Sequence, residues 1–333
     1  MLTEAVHHVV PLARVTRSGF VESVHHGALV VLDADGRVLV AAGDVTGPVF
    51  PRSSNKPLQA VGMLRAGLDP LATVPGELLA LAQASHSGQS FHLAGVRRIL
   101  LAAGLSDADL QNTADLPLDP DERAAWLGAG QRPTPLAQNC SGKHAAMLAT
   151  CVARGWDTAT YRDLDHPLQQ VIGDTTRELA GEQVVATGID GCGAPVLALS
   201  LTGLARAFAR IATATTETPE GLVAQANRRH PEYVGGTRRD VTRLIEGVPG
   251  LIAKDGAEGV YAAALADGRA VALKIADGAE RARRPVLANA LRLAGAEGDV
   301  LDELIDGEVV LGHGRTVGRI EPLDLSPYAV VTA

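Results

Sequence analysis

The sequence predicts an α+β fold: strands from both ends of the chain build one antiparallel sheet, and a helical region fills the middle. Two observations carry this expectation. The stretches "GALVVLDADGRVLVAAG" (27–43) and "GVYAAALADGRAVALKIADG" (259–278) each join two apolar runs through an Asp-Gly pair, Asp35-Gly36 and Asp267-Gly268. Asp-Gly between such runs is a strong hairpin cue. Between them, "ELLALAQASHS", "HLAGVRRILLAAGL", "KHAAMLATCVARG" and "PVLALSLTGLARAFARIA" show Ala- and Leu-rich helical spacing.

A lone hairpin is marginal in water, so the two are expected to pair with each other. Gly67, Gly104 and Gly155 stand where helix C-terminal caps belong. Residues 213–221, "TATTETPEG", read as loop, and 309–323 as a returning strand or sheet edge. The expectation is one domain over residues 1–333, with a sheet lobe at about 15–55 and 250–330 and a helical lobe at about 56–249. Sites would lie where the lobes meet.

Composition narrows the function. The chain is 46% hydrophobic but only 3% aromatic, so Ala, Val and Leu must build the core. A net charge of −8 argues against a nucleic-acid partner, which requires a basic face. No apolar run approaches the roughly 20 residues of a membrane span. The start, "MLTEAVHHVVPLARV", lacks the basic-then-apolar pattern of a signal peptide. Cys140, Cys151 and Cys192 form no disulfide framework, which points to a reducing cytoplasm.

The lysines are the unusual feature. Of 30 Lys plus Arg, only Lys56, Lys143, Lys254 and Lys274 are lysine. An ammonium can lose its proton when desolvated, whereas a guanidinium effectively cannot. Bias toward Arg explains the rarity, but less well why three of the four sit in Gly-, Ser- or Cys-containing motifs. In "RSSNKP" (52–57), a helix start would set Ser53 beside Lys56, with Pro57 tolerated in the first turn. Ser-x-x-Lys is an acyl-transfer device in which a neutral lysine takes the serine proton. The bland alternative is a serine N-cap followed by a solvated lysine.

Four further stretches qualify. "QASHSG" (83–88) offers Ser85 as a second hydroxyl, or simply ends a helix. "QNCSGKHAAML" (138–148) gathers Cys140, Lys143 and His144 at a helix start. "TGIDGCGAPV" (187–196) sets Cys192 between glycines beside Asp190. Two thiolates from separate loops would suit zinc, although the usual zinc spacings are absent, and buried packing is the alternative. Lys254, before Asp255-Gly256, would enter a site from the sheet, or belong to an ordinary turn. Lys274 reads as an outward strand residue and Cys151 as packing.

Taken in order, "RSGFVESVHHG", "RSSNKPLQA", "ASHSG", "NCSGKHAAML", "DGCGAP", "KDGAEGVYAAAL" and "VGRIE" resemble the asparaginase II family of the rhizobial, thermolabile type, from about residue 17 to 321. The threonine motifs of the better-known bacterial asparaginases are not evident. The resemblance implies a fold like serine β-lactamases and glutaminases, a homodimer, and hydrolysis of L-asparagine to L-aspartate and ammonia. It implies two Ser-Lys pairs, Ser53 with Lys56 and Ser85 with Lys254. It implies zinc on Cys140, Lys143 and Cys192, completed by water, and substrate contacts from Arg52, His144 and Asp190. In this scheme Ser53 attacks the amide, Lys56 accepts its proton, and Ser85 with Lys254 relays protons. Arg52 suits the substrate α-carboxylate and Asp190 its α-ammonium. The alternatives are a glutaminase, a β-lactamase-like serine hydrolase, and a non-enzymatic amino-acid sensor.

Overall fold

The structure is a computed structural model that describes residues 8–330, so the first seven residues of the N-terminal stretch discussed above lie outside it. The chain opens with strands β1 (Val10–Arg17), β2 (Phe20–Leu32), β3 (Val38–Ala42) and β4 (Pro48–Val49). A 3-10 turn, Arg52–Asn55, leads into helix α1 (Lys56–Arg65), then α2 (Glu77–Ala82), α3 (Ser90–Ala102), α4 (Pro120–Gly128), α5 (Ser141–Arg154) and α6 (Pro167–Ala180). Short strands β5 (Thr187–Ile189), β6 (Pro195–Leu197) and β7 (Leu199–Ser200) precede α7 (Leu201–Thr213), α8 (Pro219–Arg229), α9 (Pro231–Val234) and α10 (Asp240–Gly247). The chain then returns to the sheet with β8 (Ile252–Asp255), β9 (Val260–Ala264) and β10 (Ala270–Ile275). It ends with α11 (Glu280–Leu293), α12 (Asp299–Asp306), β11 (Val309–Gly312) and β12 (Arg315–Pro322).

The main sheet is antiparallel, in the order β11-β12-β1-β2-β10-β9-β8, with β3 also on β2. Both Asp-Gly hairpins form, and they meet along β2 and β10, where Val31 faces Val271. The tail returns as the edge hairpin β11–β12. Strands from the two ends of the chain thus share one sheet, as the sequence predicts. Every residue of β8 and β9 is buried, so this part of the sheet is covered on both faces. That explains why "VYAAA" is a continuous apolar run with no polar alternation. Helices α7 and α11 pack on β9 and β10, and the alanines there allow close approach.

One helical expectation is shortened. Residues 195–200 form β6 and β7, and α7 starts only at Leu201. The Ser200 hydroxyl accepts from the Gly203 N–H and donates to Glu182, which sets the helix N-cap there. Helices α11 and α12 occupy a stretch to which the sequence reading assigns no element. Among the described residues, no helix is long and apolar enough to cross a membrane.

Two close approaches assemble the seam between sheet and helices. A Cβ at Gly256, just after β8, would stand 2.7 Å from the Pro51 carbonyl, so only glycine lets the end of β8 approach the 52–55 turn this closely. A Cβ at Gly142, in the first turn of α5, would stand 2.5 Å from the Leu81 carbonyl at the end of α2. Neither neighbour is a flexible side chain, so backbone must shift. Gly142→Ala is expected to destabilise the fold by about 1–3 kcal/mol. Urea unfolding followed by circular dichroism checks this: the midpoint should fall, and an unchanged midpoint contradicts the packing.

Candidate active site

Lys56 opens α1 and is fully buried. The solvated-lysine alternative therefore fails. Its amine donates to the Ala84 carbonyl at 2.5 Å and to Ser85 Oγ at 3.1 Å. The 83–89 segment that supplies these acceptors follows the end of α2 and is anchored on both sides. Ser85 and Ser87 donate their N–H groups to Val234 and Gly235, and His86 donates to Asn139. The His86 ring adds a second tie: Nδ1 accepts from the Gly88 N–H, and Nε2 lies 2.8 Å from Ser141 Oγ. Burial and the nearby His92 and Lys56 push its pKa down, so it bridges as a neutral ring.

Ser53 lies in the preceding 3-10 turn and is half-buried. This turn is held by Ser54 Oγ donating to the Pro51 carbonyl at 2.6 Å, and it carries Arg52 at φ +50°. A non-glycine residue in that region costs energy and is typical of functional sites. Ser53 and Ser85 both line a cleft of about 500 Å³ whose walls also include Asn139, Asp255 and Arg239.

Lys254 is likewise fully buried, at the end of β8. Its amine donates to Asp255 twice, to the carbonyl at 2.7 Å and to Oδ1 at 2.6 Å. Burial lowers its pKa to about 8, against the pull of Asp255. The pairs observed are thus Lys56 with Ser85 and Lys254 with Asp255, whereas the resemblance implied Ser53–Lys56 and Ser85–Lys254. The reason is desolvation: a buried ammonium takes the strongest acceptors in reach, a backbone carbonyl and a carboxylate, rather than only a hydroxyl. Ser53, Ser85 and Asp255 line one cleft, and the two lysines lie buried behind its wall, bonded to Ser85 and Asp255.

Arg52 and Asp190 also meet. Arg52 Nε donates to Asp190 Oδ1 at 2.8 Å across 138 residues of sequence, and Glu258 stands 3.8 Å from the same guanidinium. Asp190 opens the β5–β6 turn that holds Cys192. In that turn Cys192 is packed with Cys140, and Lys143 Nζ lies 3.2 Å from Cys192 Sγ. The Cys192 thiol is held well below its usual range by a hydrogen bond from Cys140, with Lys143 and His144 helping against burial. Cys140 is pushed up for the same reason and by burial. His144 is fully buried beside Cys192. Its Nδ1 lies 2.6 Å from Tyr161 Oη, and its Nε2 has no hydrogen-bond partner among the described residues. Cys151 is core, and burial raises its thiol to about 12.

The family model for L-asparaginase II matches residues 13–322. The chain belongs to the L-asparaginase II family. Membership supports an enzyme of the amidohydrolase type. No curated protein matches the chain. Among solved structures it is similar to a beta-lactamase from Mycobacterium bovis, at 16% identity and TM-score 0.42, covering 84% of this chain and 93% of that one. It is similar also to Mglu in its native form, at 15% identity and TM-score 0.35, covering 86% of this chain and 65% of Mglu, just under two thirds.

The cleft has members that the sequence reading missed. Asn139, Asp119, Arg238, Arg239, Glu280 and Arg284 line it. Asn139 borders the Cys140 motif, a signal available from the sequence. The arginines sit in the ordinary doublets "RR" at 238–239 and 283–284, which carry no signal. In the sequence Asp255 reads as a turn residue, and its contact with Lys254 is what marks it.

The residues implied to hold zinc fit a metal. The two sulfurs pack together, the Lys143 amine lies 3.2 Å from Cys192 Sγ, and the His144 Nε2 has no hydrogen-bond partner among the described residues. Among the described residues there is no cluster of three His, Cys, Asp or Glu placed to hold an ion, but two Cys and a Lys fall outside that composition. Purified protein is expected to contain near-stoichiometric zinc by elemental analysis, and Cys192→Ser to lose it. Metal-free wild-type protein overturns the zinc assignment.

Proposed function

We propose that the chain hydrolyses the side-chain amide of L-asparagine to L-aspartate and ammonia through a serine acyl-enzyme. The observation that supports this most is Lys56, fully buried and 3.1 Å from Ser85 Oγ beside a cleft that also holds Ser53. A surface lysine needs no such enclosure. In this reading Ser53 Oγ adds to the amide carbon and its proton passes to Lys56. The C–N bond then breaks, and the departing nitrogen takes a proton to leave as ammonia. Lys254, mainly protonated below its pKa of about 8, is the donor. Water adds to the resulting ester, the bond to Ser53 breaks, and aspartate leaves.

The Arg52–Asp190 pair suits the substrate's own charges. A zwitterion can exchange one internal ion pair for two new ones, α-carboxylate on Arg52 and α-ammonium on Asp190. Zinc, held by Cys140, Lys143 and Cys192, would brace these loops or orient substrate rather than polarise the amide. The Lys143 ammonium is disfavoured by burial but raised by Cys192, Cys140 and Asp190, so it must give up a proton to become a ligand.

A second reading rests on the same contact: Ser85, the hydroxyl bonded to Lys56, is the nucleophile. Ammonia release separates the possibilities. Ser53→Ala is expected to lower kcat for asparagine on the order of 10³-fold or more if Ser53 attacks. Mass spectrometry of the quenched enzyme should then place the acyl group on the peptide containing Ser53. An acyl group on the Ser85 peptide favours the second reading, and undiminished turnover in both Ser→Ala variants rejects the acyl-enzyme. Glutamine should react more slowly by about 10–200-fold, since one methylene is worth only about 1–3 kcal/mol. Equal or faster glutamine turnover makes the enzyme a glutaminase, and binding without turnover a sensor.

A further inference from the structure

Lys254 is unusual in being clasped by its own chain neighbour. Adjacent strand residues normally face opposite ways. Here β8 stops at Asp255, and the lysine stem turns so that its amine reaches Asp255 Oδ1 at 2.6 Å. The other carboxylate oxygen is taken from the opposite side. Arg239 Nη2 donates to Asp255 Oδ2 at 2.5 Å, and Arg283 Nη2 stands 3.8 Å from it. Arg283 is itself fixed, donating to the Gly256 carbonyl at 2.5 Å with its guanidinium 5.2 Å from the Tyr261 ring centroid. Asp255 and Arg239 line the cleft beside Ser53 and Ser85. A single carboxylate therefore stands between a buried amine and two guanidiniums at the edge of the reaction space.

We propose that Asp255, on the cleft wall, is a positioning residue that holds the buried Lys254 amine behind that wall and governs its proton, with Arg239 as the counterweight. The inference rests on the reading of Lys254 as proton donor and deepens it. The groups facing this knot come from every element around it: Lys56 on α1, Arg239 and Asp240 at the start of α10, Tyr261 on β9, and Glu280 and Arg283 on α11. Only Asp255 among them bonds the amine directly. Burial, Lys56 and Arg239 all disfavour the Lys254 ammonium, and Asp255 alone supports it. Burial also works against the Asp255 carboxylate, yet Lys254, Arg239 and Arg283 hold it well below the usual range, so it stays charged where enzymes operate.

The logic is that of a divided charge. Bound to Lys254 alone, a buried carboxylate would lock the amine as an ammonium across the physiological range. With no carboxylate, the buried amine beside Lys56 would be neutral and unable to donate. Arg239 takes part of the carboxylate's field, leaving the amine able both to donate a proton to the leaving nitrogen and to recover one.

The scarcity of lysine makes this measurable without catalysis. The full chain labelled with [13Cε]lysine carries four lysine signals, from Lys56, Lys143, Lys254 and Lys274. That of Lys254 can be assigned from Lys254→Arg and followed against pH by NMR. Removing the carboxylate with Asp255→Asn is expected to move its midpoint down by more than about one pH unit, with Asp255→Glu restoring part of the shift. Removing the counterweight with Arg239→Gln is expected to move it up. The alkaline limb of kcat/KM for asparagine should follow the midpoint in each variant. If Asp255→Asn does not fold, the upward shift in Arg239→Gln carries the test. An unmoved midpoint in either variant, or the same direction in both, overturns the proposal. Midpoints that shift as expected while the pH profile stays fixed support Asp255's hold on Lys254, but remove Lys254 from the reaction.

Discussion

Three lysine side chains end inside this protein, and the site is organised by what their amines require. Lys56, Lys143 and Lys254 are each 1% exposed or less. A buried ammonium without partners would cost several kcal/mol, so each must be met by acceptors. Lys56 finds a carbonyl and the Ser85 hydroxyl, Lys143 finds the Cys192 sulfur, and Lys254 finds its neighbour's carboxylate. Each acceptor lies on a segment that the lysine thereby fixes. Lys56 ties α1 to the 83–89 loop, Lys143 ties α5 to the β5–β6 turn, and Lys254 closes the end of β8 on its own neighbour.

The fold supplies the setting by bringing distant segments together. The sheet returns β8 to the 52–55 turn, and Gly256 lets the two backbones approach. Helix α5 begins against the end of α2, which places Cys140 and Lys143 next to the loop carrying Ser85. An Ala-rich core suits this arrangement because small side chains let helices and sheet close around charged groups without leaving voids. The energetic cost of holding ions in such a place is repaid only by full pairing, and here the pairs interlock. Asp255 serves Lys254, Arg239 and Arg283 at once.

The Ser53–Ser85 cleft and the Cys140–Cys192 pair occupy adjacent parts of this seam. The two are linked through Asn139, which lines the cleft and has its Oδ1 3.0 Å from the Cys140 sulfur. Arg52 and Asp190 join the turn of Ser53 to that of Cys192. A substrate that displaces this ion pair would therefore act on both regions, whereas one bound only at the cleft floor would act on the first.

Local chemistry in the sequence determined a great deal by itself. Asp-Gly pairs between apolar runs specify hairpins because their geometry is set within four residues, and the Ala/Leu runs specify helices for the same local reason. The motifs also singled out three lysines that the fold buries, Lys56, Lys143 and Lys254. The partners of those lysines were not legible. Ser53 and Lys56 are three residues apart, yet the Lys56 amine bonds a hydroxyl 29 residues away. Arg239 reaches Asp255 across 16 residues, and Arg52 reaches Asp190 across 138. Spacing along a helix says which residues share a face. Which acceptor a buried charge takes is decided by what the packed chain brings within hydrogen-bond reach, and that is a property of the tertiary structure alone.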